Sequence, residues 1–154
     1  MEYLKFKSDL HHIHQSEVYG ANVFKVASLL ALSSDRKAKW RLLYQLEIQT
    51  LERFRTYLED SGRVDHYPYL WSIKGYLEGL ALALMPWPIA MRILARETQS
   101  FVAIWQRLKL NACEDERPFF DYVYAHEKAI EAFAKREIES GKNSVEAIRS
   151  LLSH

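Results

Sequence analysis

Four polar residues interrupt the apolar stripes of this chain, and each lies on a different segment with helical spacing: Glu17, Glu47, Glu97 and His126. Around each of them, apolar residues recur at steps of three and four, which keep side chains on one face of a helix. A carboxylate on a core-facing stripe is costly unless it is paired, protonated or bound to a cation. The pattern therefore predicts a helical bundle whose interior gathers these four side chains into a metal site.

The composition favours a helical protein. Only 5 Gly and 4 Pro occur in 154 residues, which is typical of long helices rather than of a β fold. The length fits one domain covering residues 1–154. Lys plus Arg number 21 and Asp plus Glu number 20, giving a net charge of +1, so there is no electrostatic case for binding nucleic acid. We therefore expect a single all-α domain that does not bind nucleic acid.

Cysteine usage and hydropathy set the expected compartment. Cys113 is the only cysteine, so no intrachain disulfide can form. Residues 1–9 are polar and do not resemble a signal peptide, which makes a reducing cytoplasm the default. The longest apolar run, residues 79–90, is too short to span a bilayer and contains two prolines. We expect a cytoplasmic protein without a membrane span.

The spacing predicts five long helices and one short one. Their approximate ranges are 8–32, 36–60, 69–85, 89–110, 118–140 and 144–152, with a linker at 63–68. Ser8 is the predicted N-cap of the first helix, and Asn143 with Glu146 forms a predicted capping box for the last. Pro86 and Pro88 are expected to break or kink the chain between the third and fourth helices.

A weak internal repeat relates the two halves of the chain. Residues 51–62 resemble residues 130–141 at an offset of 79 (130 − 51). This offset superposes Glu47 on His126 and places Glu17 one residue from Glu97. Two interpretations remain open: a duplicated helix pair that brings two polar core residues each time, or a chance similarity between two amphipathic helices.

Inward-facing carboxylates from two antiparallel helix pairs are typical of di-metal carboxylate proteins, in which two helices each give a Glu and two give Glu-x-x-His. On this pattern the chain resembles the ferritin-like superfamily, in particular its rubrerythrin and demethoxyubiquinone-hydroxylase branches. The segments that carry the resemblance are Glu17 with Ala21, Glu47 to Phe54, Trp71 with Gly75-x-x-x-Gly79, and Ala95 to Thr98.

The resemblance implies an antiparallel ferritin-like four-helix bundle core with additional short helices. It also implies iron or manganese held by Glu17, Glu47, Glu97 and His126, and oxygen- or peroxide-linked redox chemistry. The ligand set is incomplete, because Thr50 stands where the second helix should supply a His. A single-metal site, a weakened di-metal site and a metal-free relic all fit these residues.

The fifth helix offers two candidates for the inward position. His126 shares its stripe with Val123 and Phe133, whereas Glu127 shares a mixed, boundary stripe, so we expect His126 to face inward. His14, one turn before Glu17, could reach the same face, but an exposed first turn is the preferred interpretation. The competing hypothesis is a non-enzymatic helical scaffold or interaction protein that has lost its metal. No motif identifies a small-molecule substrate, and a homodimer is compatible with the sequence.

Overall fold

A computed structural model describes residues 2–62 and 68–153. These residues form six α-helices and no strand, as the composition predicts. The helices are α1 (Glu2–Leu30), α2 (Ser34–Asp60), α3 (Tyr69–Leu84), α4 (Trp87–Asn111), α5 (Arg117–Glu139) and α6 (Glu146–Leu152). No helix in these two ranges is long and apolar enough to cross a membrane.

The first helix begins earlier than predicted, whereas a serine caps the second helix. Helix α1 begins at Glu2, so Ser8 lies inside it and is not an N-cap. Helix α2 is capped by Ser33, whose hydroxyl accepts a hydrogen bond from the backbone N–H of Arg36 at 3.2 Å. A serine at this position satisfies one of the free N–H groups at a helix start.

The other boundaries follow from proline and from backbone conformation. The chain breaks before Pro86, as predicted, but α4 resumes at Trp87 because Pro88 fits the first helical turn. The predicted capping box of the last helix is wrong. Asn143 has a φ of 53°, and only its carbonyl accepts from the N–H of Glu146, at 3.3 Å. Of the predicted linker, residues 63–67 lie outside the described residues.

Among the residues that the structure describes, the apolar interior consists of two clusters, and the same four long helices contribute to both. One cluster includes Phe24, Trp40, Met91 and Phe133; the other includes Ile13, Phe54, Trp105 and Phe120. Along the chain, α1 and α5 pass from the second cluster to the first, whereas α2 and α4 pass from the first to the second. The helices within each pair, α1 with α2 and α4 with α5, are therefore antiparallel.

Helix α3 packs on the outside of α1 through small residues. A Cβ on Gly75 would lie 2.6 Å from the Tyr19 carbonyl oxygen, and one on Gly79 would lie 2.5 Å from the Val23 carbonyl oxygen. Such distances exclude any side chain at these two positions. The two glycines therefore permit the close approach of these helices, and the order of the contacts shows that α3 runs parallel to α1.

Candidate metal centre

Glu17 of α1, Glu47 of α2 and His126 of α5 meet between the two apolar clusters. Their exposed fractions are 2%, 5% and 0%. His126 Nε2 lies 3.6 Å from Glu47 Oε1 and 3.9 Å from Glu17 Oε2. One potential ligand atom from each residue lies within 4.8 Å of the other two. Three of the four residues predicted from the apolar stripes are therefore adjacent in the interior.

A glycine makes room for this convergence. A Cβ on Gly20 would lie 3.0 Å from Glu47 Oε1 and 3.2 Å from Glu47 Cδ. These contacts are tighter than side chains normally tolerate, so Gly20 leaves the space that the Glu47 carboxyl group occupies. Because Gly20 lies on α1 and Glu47 on α2, the glycine helps to set how closely the two carboxyl-bearing helices approach each other.

Three buried atoms of the group lack a hydrogen-bond partner among the described residues: Glu17 Oε2, Glu47 Oε2 and His126 Nε2. An unsatisfied buried polar atom costs about 1–3 kcal/mol, and native interiors contain few of them. Here the three belong to side chains that face one another. This arrangement is what a site built for a shared cation would present.

Thr50 fixes the ring of His126. The Thr50 hydroxyl donates to the Leu46 carbonyl oxygen at 3.0 Å, which uses its only proton. It therefore accepts from His126 Nδ1 at 2.6 Å and from the Tyr122 hydroxyl at 3.2 Å. With Nδ1 protonated, a neutral His126 turns the lone pair of Nε2 towards Glu17 and Glu47. This is how metal-binding histidines are commonly oriented by a second hydrogen bond.

We expect Thr50→Val to weaken metal binding by roughly 10- to 100-fold without removing a ligand. Valine keeps the shape of threonine but cannot accept the proton of His126 Nδ1. Nitrogen NMR chemical shifts of His126 should show a loss of the single Nδ1–H tautomer. The matched control is Thr56→Val on the same helix, because Thr56 also donates to a backbone carbonyl, at 3.1 Å, but is exposed. Equal metal affinities of the two variants would contradict the assigned role of Thr50.

Burial perturbs the carboxyl groups of this region. It raises the pKa of Glu47 to about 8. It also raises the pKa of Glu17 well above its usual range, and the neighbouring Glu47 carboxylate adds to that increase. The pKa of Glu127 is raised mainly by burial, with the charges of Glu17 and Glu47 contributing in the same direction. Without a cation, some of these carboxyl groups therefore retain their protons near neutral pH.

Glu97 departs from the prediction. It is exposed and is not part of the close group formed by the other three predicted residues. Helix α4 is rotated about its axis so that Leu94 and Thr98 face the interior in place of Glu97. Their exposed fractions are 9% and 4%. Glu97 nevertheless lines a cavity of about 60 Å³ that also contacts Glu17 and Glu47. Its role as a ligand stays a prediction.

Glu127 is more buried than its mixed stripe predicts. His126 is fully buried, as expected, but Glu127 is only 6% exposed and lines the same cavity, so assigning it to a boundary face was wrong. The signal present in the sequence is that Phe120 and Ala134, two turns before and after Glu127 on its stripe, are apolar; both are buried. His14, which could reach the same helix face as Glu17, stacks its ring on Phe54 at 5.3 Å between ring centroids.

The donor set fits a divalent cation. Two carboxylates would balance its charge, and an imidazole would complete three ligands. Atoms that share a metal at about 2.1 Å lie roughly 3–4 Å from one another, which matches the separations of 3.6 and 3.9 Å from His126 Nε2. Oxygen and imidazole ligands without a thiolate suit iron, manganese or zinc better than a soft metal such as Cu(I).

Comparison of this chain with protein-family models, with curated proteins and with solved structures gave no match. The features of this chain that bear on function are the buried group of Glu17, Glu47 and His126 and the helices around it.

Proposed function

We propose that this protein is a ferritin-like carboxylate bundle that binds iron or manganese between Glu17, Glu47 and His126. The observation that carries the proposal is the convergence of three buried side chains, each of which has a buried polar atom without a hydrogen-bond partner among the described residues. Two antiparallel helix pairs around an interior carboxylate site are also the arrangement of ferritin-like proteins. Helix α3 would be the connection between the two pairs.

A bound iron or manganese ion would supply oxygen- or peroxide-linked redox chemistry. Glu17 and Glu47 would neutralise its charge, and Thr50 would hold His126 with Nε2 directed at it. The adjoining cavity of about 60 Å³ has room for molecules the size of water or dioxygen, since a water molecule takes about 30 Å³ in the liquid. Glu127 lines this cavity, and burial raises the pKa of its carboxyl group, which favours the protonated form beside the site.

Elemental analysis of protein purified from cells supplied with iron and manganese tests the proposal. The wild type is expected to carry at least one ion per chain, and Glu47→Ala should lower the bound metal by roughly tenfold or more because it removes a ligand. Glu52→Ala provides the control, since Glu52 is an exposed carboxylate on the same helix. Substoichiometric metal that Glu47→Ala leaves unchanged would contradict the proposal.

A metal-free scaffold is the second candidate, and the raised pKa of Glu47 favours it. With its pKa near 8, Glu47 retains a proton at neutral pH, so the interior can avoid two adjacent charges without any cation. The sequence points the same way, because Thr50 occupies a position where a ferritin-like site would use histidine. Wild-type protein that stays metal-free when iron and manganese are both supplied would select this candidate.

A further inference from the structure

Helix α3 has two contrasting faces. The face towards α1 is buried and is formed mainly by small residues: Ser72, Gly75, Gly79, Leu82 and Ala83. The opposite face carries five aliphatic side chains, which we call the α3 seam: Leu70, Ile73, Leu77, Leu80 and Leu84. Their exposed fractions are 82%, 57%, 65%, 42% and 56%. A solvent-facing helix normally presents polar residues on this side.

The spacing within the α3 seam is that of a helix that packs against another helix. Its members follow one another at steps of three, four, three and four, which are the a and d positions of a heptad repeat. The only charged residues of α3 are Lys74 and Glu78. They lie outside the seam and pair with each other at 3.5 Å between Nζ and Oε1. The seam itself is uncharged, so it contributes no like charges to a contact with an identical surface.

The area of the surface also matches an interface. Tyr69 and Tyr76 flank the seam and are 73% and 43% exposed. At roughly 100 Å² of exposed area for each of these seven side chains, the surface approaches the ~800 Å² that each partner buries in a typical protein interface. Apolar patches on monomers seldom exceed about 300–600 Å² and often mark contact sites.

We propose that the α3 seam is the interface of a homodimer, in which two copies of this chain pack seam against seam across a two-fold axis. A two-fold interface needs a self-complementary surface, and an uncharged heptad stripe is one. A helix that lies on a lipid surface instead carries lysines or arginines on its polar face, whereas the single cation of α3 is already paired. No described residue covers the seam, and it lies on the side of α3 opposite α1, so the dimer does not depend on bound metal.

Sedimentation equilibrium from about 1 to about 100 µM tests the proposal on the complete chain. The wild type is expected to be dimeric, and Ile73→Glu with Leu77→Glu should weaken the dimer by at least ~100-fold, because it places charges at the centre of the interface. Both side chains face solvent in the monomer, so the helical circular dichroism should not change. The milder Leu77→Gln is expected to act in the same direction.

Leu110→Glu is the matched control, because Leu110 is an equally apolar side chain, 77% exposed, on a different helix. It should leave the dimer intact. A wild type that is monomeric at every concentration would overturn the proposal, as would a dimer that neither seam variant weakens. A monomer that floats with phosphatidylglycerol vesicles, and loses that binding in the doubly substituted variant, would also overturn it and identify a lipid surface as the occupant.

Discussion

Raising the pH of the metal-free protein from about 5 to about 8 is expected to lower its free energy of unfolding by about 3–5 kcal/mol. The pKa of Glu47 rises from 4.5 in the unfolded chain to about 8 in the fold. Between these values the folded state binds a proton that the unfolded state has lost. The contribution of Glu47 to stability is therefore complete below pH 4.5 and is lost as the pH rises through 8. Glu17 and Glu127, whose pKa values burial also raises, add to the same slope.

Urea unfolding at a series of pH values measures this effect. Glu47→Gln, which stays neutral at every pH, should flatten the decline, whereas the exposed Glu52→Gln should leave it unchanged. At acid pH the effect is reversed, because Glu131 makes the fold less stable as the pH falls. Hydrogen bonds from Lys128 and Lys135 lower the pKa of Glu131 to about 2, so that contribution is lost as the pH falls from 4.5 through 2. A pH profile that Glu47→Gln does not alter would argue against a buried carboxyl cluster.

Adding Mn(II), Fe(II) or Zn(II) to the metal-free protein is expected to raise its melting temperature by roughly 8–16 °C. A ligand at about 1,000 times its Kd stabilises the folded state by about 4 kcal/mol, and each kcal/mol shifts the melting temperature of a chain of this size by about 2–4 °C. The shift arises because only the folded chain assembles Glu17, Glu47 and His126 into one site. It should be larger at pH 8 than at pH 5, since binding must displace the proton of Glu47.

Scanning calorimetry with and without metal checks this result, and a chelator should reverse the shift. Glu17→Gln with His126→Asn should abolish it, because two of the three ligands lose their affinity. The exposed Glu52→Gln again serves as the control. Identical melting temperatures in the absence and presence of all three metals would contradict metal binding and leave the scaffold as the better description.

The helices were predictable because apolar residues at steps of three and four determine which side of each helix is buried. Glu17, Glu47 and His126 were found from the same signal, since each lies in the middle of its stripe. Glu97 lies at the edge of a stripe, where a small rotation of α4 decides between burial and exposure. Glu127 follows His126 directly, and both can be buried because α5 contacts α2 on one side and α4 on another.

The spacing of apolar residues along a helix does not predict which side chains of two helices contact each other. The hydrogen bond from His126 to Thr50 depends on how α2 and α5 are aligned along their axes, which the pattern of either helix alone does not contain. The sequence marked Thr50 only as a missing histidine. Its position beside His126 shows that the residue still belongs to the site, as an acceptor for the ring rather than as a ligand.

The polar layer between the two apolar clusters also fixes the register of the bundle. If α1, α2 or α5 slid by a single turn, it would carry its polar side chain about 5.4 Å along the axis and into an apolar cluster. There Glu17, Glu47 or His126 would lose the only surroundings that accommodate it, while an apolar side chain would enter the polar layer. The layer therefore opposes misaligned packings whether or not a metal is bound, and it selects one alignment of α1, α2 and α5, which apolar packing alone would leave free to slip.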